Sequence, residues 1–182
     1  FIDAYQDQTG VDIAGSSDIY DSTDKYYSPP DGSTGGTITT HGDYTVHSFT
    51  STGNTNFVVL DAGNVDALVV AGGGGGGGSC GGGGGGGMRT SASHAVTAQT
   101  YSVTVGSGGA GATTVPNPGS VGGNSVFDTI TSYGGGYGAK EAQPGGAGGA
   151  GGGAGYSSPG GAGNTPSTSP SQGATGGAGG PS

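Results

Sequence analysis

Basic residues are nearly missing from this chain, as are several other features on which common functions depend. Only three of its 182 residues are Lys or Arg, against 12 acidic residues, and the formal net charge is −9. A surface with this balance repels phosphate backbones, so nucleic-acid binding is not expected. The single cysteine, Cys80, excludes an intrachain disulfide. No apolar run approaches the ~20 residues that cross a bilayer, so membrane insertion is not expected either.

Residue types that carry catalysis are also scarce. His41, His47 and His94 are the only histidines, and Cys80 lies between glycine runs without a basic cluster that would activate its thiol. No Gly-Lys-Ser/Thr motif follows a glycine run, as a phosphate-binding loop requires. No pair of carboxylates has a spacing that suggests glycoside hydrolysis. The sequence therefore predicts a protein that is not an enzyme and that has no cofactor and no metal site.

Acidic residues are concentrated in the first part of the chain. Seven of the twelve lie in the first 31 residues, among them Asp18, Asp21 and Asp24. Their spacing differs from the alternating ligands of a calcium loop, so solvated acids are the favoured interpretation. Residues 1–36 show neither helical nor strand periodicity and end in turn signals, which predicts an acidic connector segment. Because the sequence starts at Phe1 rather than Met, we expect it to be a piece of a longer polypeptide.

Strand signals begin after this connector. Residues 37–71 contain the runs TITT, YTVHSFT, TNFVVL and VDALVVA, separated by Gly, Asn and Asp turn residues. Such runs predict a small antiparallel β unit of three or four strands. YSVTV at residues 101–105 and SVFDTI at residues 125–130 predict further strands. We predict a mainly β protein with almost no α-helix.

Glycine dominates the rest, with 49 of the 182 positions in the whole chain. The run GGGGGGGSCGGGGGGG at residues 72–87 directly follows an apolar segment. Seven residues in an extended helix of three residues per turn span roughly 22 Å. Neighbouring helices of this kind can pair N–H with C=O groups and add Cα–H···O contacts. Flexible linkers are the alternative, but the runs contain few serines and recur at similar lengths. We predict a polyglycine-II bundle over residues 72–182.

Three segments in fixed order carry a resemblance to a known family. YTVHSFTSTGNTNFVV…VDALVVAGGGGGGG is followed by YSVTVGSGGAG and then by GGNSVFDTITSYGGGYG. Together they resemble the glycine-rich domain of bacteriophage tail-fibre proteins and tip adhesins over residues 37–182. Ser79-Cys80 and Asp128 depart from the family pattern. Residues 1–36 resemble connector segments of marine phage structural proteins, through DQTGVD and YDSTDKYYS.

The resemblance implies a polyglycine-II sandwich that displays variable loops on the virion, at the extracellular surface. Its expected partners are a host cell-surface glycan or outer-membrane protein, other virion proteins, and copies of itself, three if it forms a fibre. Because glycine runs carry no side chains, recognition has to fall to the segments that interrupt them. Those segments are MRTSASH, GYGAKEAQ and GYSSP, and the candidate receptor-contact residues are Arg89, His94, Tyr137, Lys140, Glu141 and Tyr156.

Two other functions stay open at this point. In a purely structural element, such as a fibre shaft, a capsid decoration or an extracellular fibril subunit, the tyrosines would cap the bundle ends and the charges would be solvated. An ice-binding protein would need a flat face of regularly spaced small residues and usually disulfides. The sequence shows neither of these two features clearly.

Overall fold

The strands in the described part of the chain form two antiparallel sheets. The computed structural model describes residues 2–5, 32–42 and 44–181. The first sheet has the order β2-β3-β1-β5-β6, with β1 at Ile2–Tyr5, β2 at Thr37–His41, β3 at Tyr44–Ser48, β5 at Gly63–Val70 and β6 at Met88–Val96. The second has the order β4-β7-β8-β9, with β4 at Gly53–Val59, β7 at Gln99–Val105, β8 at Ser125–Phe127 and β9 at Ile130–Ser132.

Helices are absent from these described ranges, so no helix there is long and apolar enough to cross a membrane. The prediction of a mainly β protein with antiparallel strands and almost no α-helix is confirmed for this part of the chain.

The hydrophobic core lies where alternate residues of β4, β5 and β7 meet. Side chains at every second position of a strand face the same side of a sheet, and here those positions hold buried apolar residues. Phe57 is fully buried, and its ring centroid lies 6.0 Å from that of Phe127. The other members are Val59, Val65, Ala67, Val69, Val96, Tyr101, Val103 and Ile130. This core joins the two sheets, because β5 and β6 belong to one and β4, β7, β8 and β9 to the other.

Strands that are neighbours in the sequence do not always pair with each other. β4 pairs with β7 rather than with β3 or β5. Residues 125–130, expected as one strand, divide into β8 and the start of β9 around Asp128, whose φ is 49°. Residues 88–94, expected to be a binding loop, lie within β6 instead, because they pair with β5 as far as Val65.

Most of the predicted connector, including Asp18, Asp21 and Asp24, lies outside the described residues. Within the described part of residues 1–36, residues 2–5 and Thr34 belong to the β structure. β1 pairs with both β3 and β5, and Thr34 forms a bridge with Val58.

The glycine run at residues 72–87 continues the β5–β6 hairpin without a change of register. Val70 pairs with Met88 at the end of the strands. Beyond this pair, backbone N–H groups donate to C=O groups at 2.7–3.0 Å, and the pairs, donor first, are Ala71 with Gly87, Gly74 with Gly84, and Gly77 with Gly81. Ser79 and Cys80 lie at the turn. The first glycine run is therefore an extension of a hairpin.

The β7–β8 hairpin is extended in the same way. Val103 pairs with Phe127 in the strands. Further out, the N–H of Gly123 donates to the C=O of Ser107, and the N–H of Ser120 donates to the C=O of Ala110, at 2.8 and 2.9 Å. In both hairpins, the glycine-rich extension therefore keeps the register of the strands that precede it.

Hydrogen bonds between a given pair of glycine segments recur at every third residue. In an antiparallel sheet they recur at every second residue. Within residues 81–87, the backbone N–H donors are Gly81, Gly84 and Gly87, and they bond to the C=O groups of Ala139, Gly136 and Tyr133. Residues 72–78 also bond to segments outside their own hairpin. The N–H groups of Gly72, Gly75 and Gly78 donate to residues 117–123. The C=O groups of Gly73 and Gly76 accept from the N–H groups of Gly109 and Ala112. A single segment is therefore bonded on several sides.

Residues 133–139 form the most enclosed of these segments. They exchange hydrogen bonds with residues 72–78, 81–87, 117–123 and 145–153. Gly134, Gly135, Gly136 and Gly138 are buried. A Cβ at Gly136 would overlap the backbone of Gly146. The interior here is made of main chain, and glycine is required because the segments approach so closely.

Candidate binding surface

Turn segments gather at the ends of the glycine hairpins that lie away from the sheets. We call this region the distal face and define it as residues 79–80, 113–118, 140–144 and 156–158. The N–H of Gly78 bonds to the C=O of Asn117, the N–H of Gly81 to that of Ala139, and the N–H of Gly155 to that of Gln143. Main-chain bonds therefore hold each of these turns beside another. Loops placed on a rigid support are common sites of binding.

Tyr156 is the most prominent aromatic side chain of the distal face, and 46% of it is exposed. A hydrogen bond to the Cys80 side chain, followed by the negative charges of Cys80 and Glu141, raises the pKa of Tyr156 above its ordinary value. Three side chains from three separate turns thus interact here. Tyr156 keeps its proton through neutral pH, so it presents an apolar ring and a hydroxyl together.

The other two candidates from the GYGAKEAQ segment have different surroundings. Lys140 is half-buried and stands next to the exposed Glu141 on the distal face. The half-buried Tyr137 packs its ring over Gly146, where an added Cβ would collide with it. Of the six predicted contact residues, the structure brings together Lys140, Glu141 and Tyr156 on the distal face. Tyr137 packs along the glycine segments.

His94 and Arg89 lie on β6, away from the distal face. The Nε2 atom of His94 is 2.9 Å from Oδ2 of Asp128, and its ring centroid is 5.6 Å from that of Phe127. The side chain of His94 is only 14% exposed. This contact links an edge strand of the first sheet to the β8–β9 turn of the second. Arg89 is half-buried opposite Val69.

Sequence reasoning missed one polar side chain on which the glycine segments depend. Gln172 is only 4% exposed. Its Oε1 accepts a hydrogen bond from the N–H of Tyr133, and its Nε2 donates to the C=O of Pro166, both at 2.9 Å. Its own C=O accepts a bond from the N–H of Met88. Nothing distinguishes this glutamine in the Ser- and Pro-rich stretch around it.

The turn at residues 113–118 was also missed as part of the candidate surface. It carries Val115, which is 66% exposed. The nearby Pro116-Asn117-Pro118-Gly119 sequence is a turn signal that marks such a loop. Its position beside the Ser79-Cys80 turn follows from the hydrogen bond between Gly78 and Asn117.

An apolar cavity of about 420 Å³ lies between the two sheets, well away from the distal face. Its lining includes Phe49, Val70, Val105 and Phe127, with hydroxyl groups from Thr50 and Ser125. Among the described residues, no three His, Cys, Asp or Glu side chains form a group that could hold a metal ion.

Two antiparallel sheets whose hairpins continue as mutually bonded glycine segments define a glycine-rich β protein. The family model of a glycine-rich domain matches residues 50–182, which is more than half of the chain. The chain therefore belongs to this glycine-rich domain family. Neither a curated protein nor a solved structure matches it.

Proposed function

We propose that the glycine segments of residues 72–180 are polyglycine-II helices packed as a bundle, and that this bundle supports a binding surface on a virion. The support for the helices is the hydrogen bonding at every third residue, since polyproline-II-type helices have three residues per turn. A segment such as 72–78, which bonds to neighbours on several sides, fits a bundle better than a sheet. Extended helices of this kind have no internal hydrogen bonds, so their backbone groups are free to pair between segments.

The proposed protein is a non-enzymatic virion component of the tail-fibre or adhesin type. It attaches to a host cell-surface glycan or outer-membrane protein, and it assembles with other copies and other virion proteins. The single observation that carries this proposal is the distal face, where main-chain hydrogen bonds hold separate turns side by side and place Tyr156 under the electrostatic influence of Cys80 and Glu141. Tyrosine is favoured in binding surfaces because a large rigid ring carries a polar group.

Amide hydrogen exchange tests the helical bundle. In residues 81–87, Gly81, Gly84 and Gly87 donate main-chain hydrogen bonds, while Gly82, Gly83, Gly85 and Gly86 do not among the described residues. We expect slow exchange at every third amide of this run. Protection at every second amide would indicate an ordinary strand, and fast exchange throughout would indicate a linker. Either result contradicts the bundle.

Binding to intact bacterial cells tests the distal face. The probe is the fluorescently labelled chain, applied to a panel of bacterial strains and to an array of bacterial surface polysaccharides. The triple variant Lys140→Ala, Glu141→Ala, Tyr156→Ala is expected to lose on the order of tenfold or more in binding, as loss of a hot-spot cluster does. The matched control changes three exposed side chains of the sheets, Ile38→Ala, Tyr44→Ala and Met88→Ala.

Equal binding by the triple variant and the parent would place recognition elsewhere. Absence of binding to every cell and polysaccharide in the panel would favour a structural role, such as a fibre shaft or capsid decoration. The melting temperature of each variant has to match that of the parent, so that unfolding does not mimic loss of binding.

A further inference from the structure

The first sheet is completed by a strand that stands apart from it in the sequence. β3 and β5 do not pair with each other, because β1 lies between them. Ile2 is placed opposite His47 on one side and Ala67 on the other, and Asp3 opposite Val46 and Asp66. We call the gap between β3 and β5 that β1 fills the strand slot.

The strand slot is the central position of the sheet. The edges of β3 and β5 that border it therefore need a strand to pair with their main-chain groups. Val46, His47 and Ala67 on its two walls are at most 4% exposed. An empty slot would leave main-chain groups of both β3 and β5 without partners, and each buried unpaired group costs about 1–3 kcal/mol. The slot therefore favours occupation by a strand of matching length and register.

Among the described residues, β1 packs against the two walls of the slot, and residues 6–31 follow it in the sequence. β1 has four residues, and its contacts are made with β3 and β5. Residues 6–31 could extend to at most about 90 Å. A folded chain of this length is roughly 40 Å across. The connection is therefore long enough for β1 to reach the same slot in a neighbouring copy.

We propose that the strand slot accepts residues 2–5 of a second copy of this chain, so that neighbouring copies are joined by exchange of β1. The exchanged strand makes the same hydrogen bonds in the same register, so the exchange is a low-cost route to assembly. The competing occupant is the chain's own β1, and a partner on the same chain commonly has an effective concentration on the order of millimolar. Exchange is therefore favoured where copies are held together at comparable concentrations. This inference does not depend on the distal face.

Disulfide trapping across the slot tests the exchange in the full chain, because Ala4 lies opposite Thr45 on β3. All variants carry Cys80→Ser. One tagged chain has Ala4→Cys and a second, differently tagged chain has Thr45→Cys. They are mixed, incubated and oxidised at about 0.01 mM, well below an effective concentration on the order of millimolar, and at about 1 mM, which is comparable with it. The matched control replaces Thr45→Cys with Thr40→Cys, an exposed position on β2 that pairs with Thr45 but is separated from β1 by β3.

We expect a covalent dimer of the two tagged chains at 1 mM, with a yield on the order of tenfold above that of the Thr40 control and falling on dilution. Mass spectrometry should locate the bond between residues 4 and 45. Equal yields with Thr45→Cys and Thr40→Cys would reflect random collision and overturn the proposal.

A single chain with both Ala4→Cys and Thr45→Cys completes the design. If this chain closes its internal disulfide while the mixed chains give no dimer at 1 mM, the slot is filled only by its own strand and the proposal is wrong. If the double variant forms no disulfide and the mixture gives no specific dimer, β1 does not occupy the slot and the proposal is equally wrong.

Discussion

Gly84 faces the main chain of Gly151 so closely that a Cβ on Gly84 would lie 2.6 Å from the Gly151 carbonyl oxygen. Gly85, the next residue, is exposed, and a Cβ there would meet no atom within 4 Å. Two adjacent glycines with the same side chain and the same sequence surroundings therefore have opposite packing. This contrast provides a direct test of whether the interior is made of packed backbone.

We predict that Gly84→Ala lowers the free energy of unfolding by about 1–3 kcal/mol, because the added methyl group has to displace main chain. Gly85→Ala is expected to be neutral or to stabilise by about 0.4–1 kcal/mol, since it reduces the freedom of the unfolded chain. Chemical denaturation of both variants measures the difference. Equal stabilities would mean that the run is not packed.

The same comparison is available in the preceding half of the hairpin. A Cβ on Gly75 would overlap the carbonyl of Ala110, whereas a Cβ on Gly76 would lie 3.7 Å from the nearest atom, an ordinary contact. Gly75→Ala should destabilise the protein by about 1–3 kcal/mol, and Gly76→Ala by less. Agreement between the two pairs would show that the packing extends along the hairpin.

Gln172 gives a second prediction, which concerns polar rather than steric contacts. Gln172→Ala leaves the N–H of Tyr133 and the C=O of Pro166 without their side-chain partner. Both bonds are partly buried, so their joint loss is expected to lower the unfolding free energy by about 1–3 kcal/mol, the cost of one fully buried unpaired group. Gln99→Ala is the control, because the Gln99 side chain makes an exposed hydrogen bond to the Thr97 side chain. A loss no greater than that of the control would show that water replaces the glutamine.

The strands of the β unit were predictable because their residues reveal them directly. Apolar residues alternate or cluster in the segments TNFVVL and VDALVVA, and these segments lie largely in β4 and β5. β6 was missed because MRTSASHAV contains mostly polar or small residues. Its position depends on the register that the β5–β6 hairpin keeps through the intervening glycines. Such a register cannot be read from the residues of β6 alone.

The candidate surface was predictable in part for the same reason. Lys140, Glu141 and Tyr156 stood out because they interrupt glycine runs. Their proximity to Cys80 depends on how separate hairpins pack, which local sequence does not specify. The pairing of His94 with Asp128 was missed because the two residues are 34 positions apart and belong to different sheets.

The His94–Asp128 contact provides a third prediction, best measured by a double-mutant cycle. His94→Ala and Asp128→Ala each remove one partner of the 2.9 Å contact. The coupling free energy is expected to be about 0.5–1.5 kcal/mol, the range of a single partly exposed hydrogen bond. The same cycle with the exposed His41 in place of His94 should give no coupling. A coupling near zero for His94 would mean that the contact adds nothing to the joining of the two sheets.

The last prediction concerns the titration of Tyr156 on the distal face. A hydrogen bond to Cys80 and the nearby negative charges raise the pKa of Tyr156. Cys80→Ala removes both the bond and one charge, so the pKa should fall towards the ordinary tyrosine value of about 10. Cys80→Ser should also lower it, because the hydroxyl is neutral and can donate a hydrogen bond to the phenolate. The pKa of Tyr156 is higher in the folded than in the unfolded protein. The contact therefore stabilises the fold at pH values below the ordinary tyrosine pKa, and this stabilisation is lost as the pH rises through the raised pKa.

Tyrosine ring carbon NMR over an alkaline pH series measures this titration, and Tyr156→Phe assigns the signal. Glu141→Gln should lower the same pKa, since it removes a carboxylate that opposes ionisation of the phenol. The matched control is Tyr101 on β7, whose lowered pKa has no contribution from Cys80 and should not respond to substitutions there. A Tyr156 pKa that does not respond to Cys80 or Glu141 would show that the three turns are not assembled into one surface. The proposed binding site would then lose the observation on which it rests.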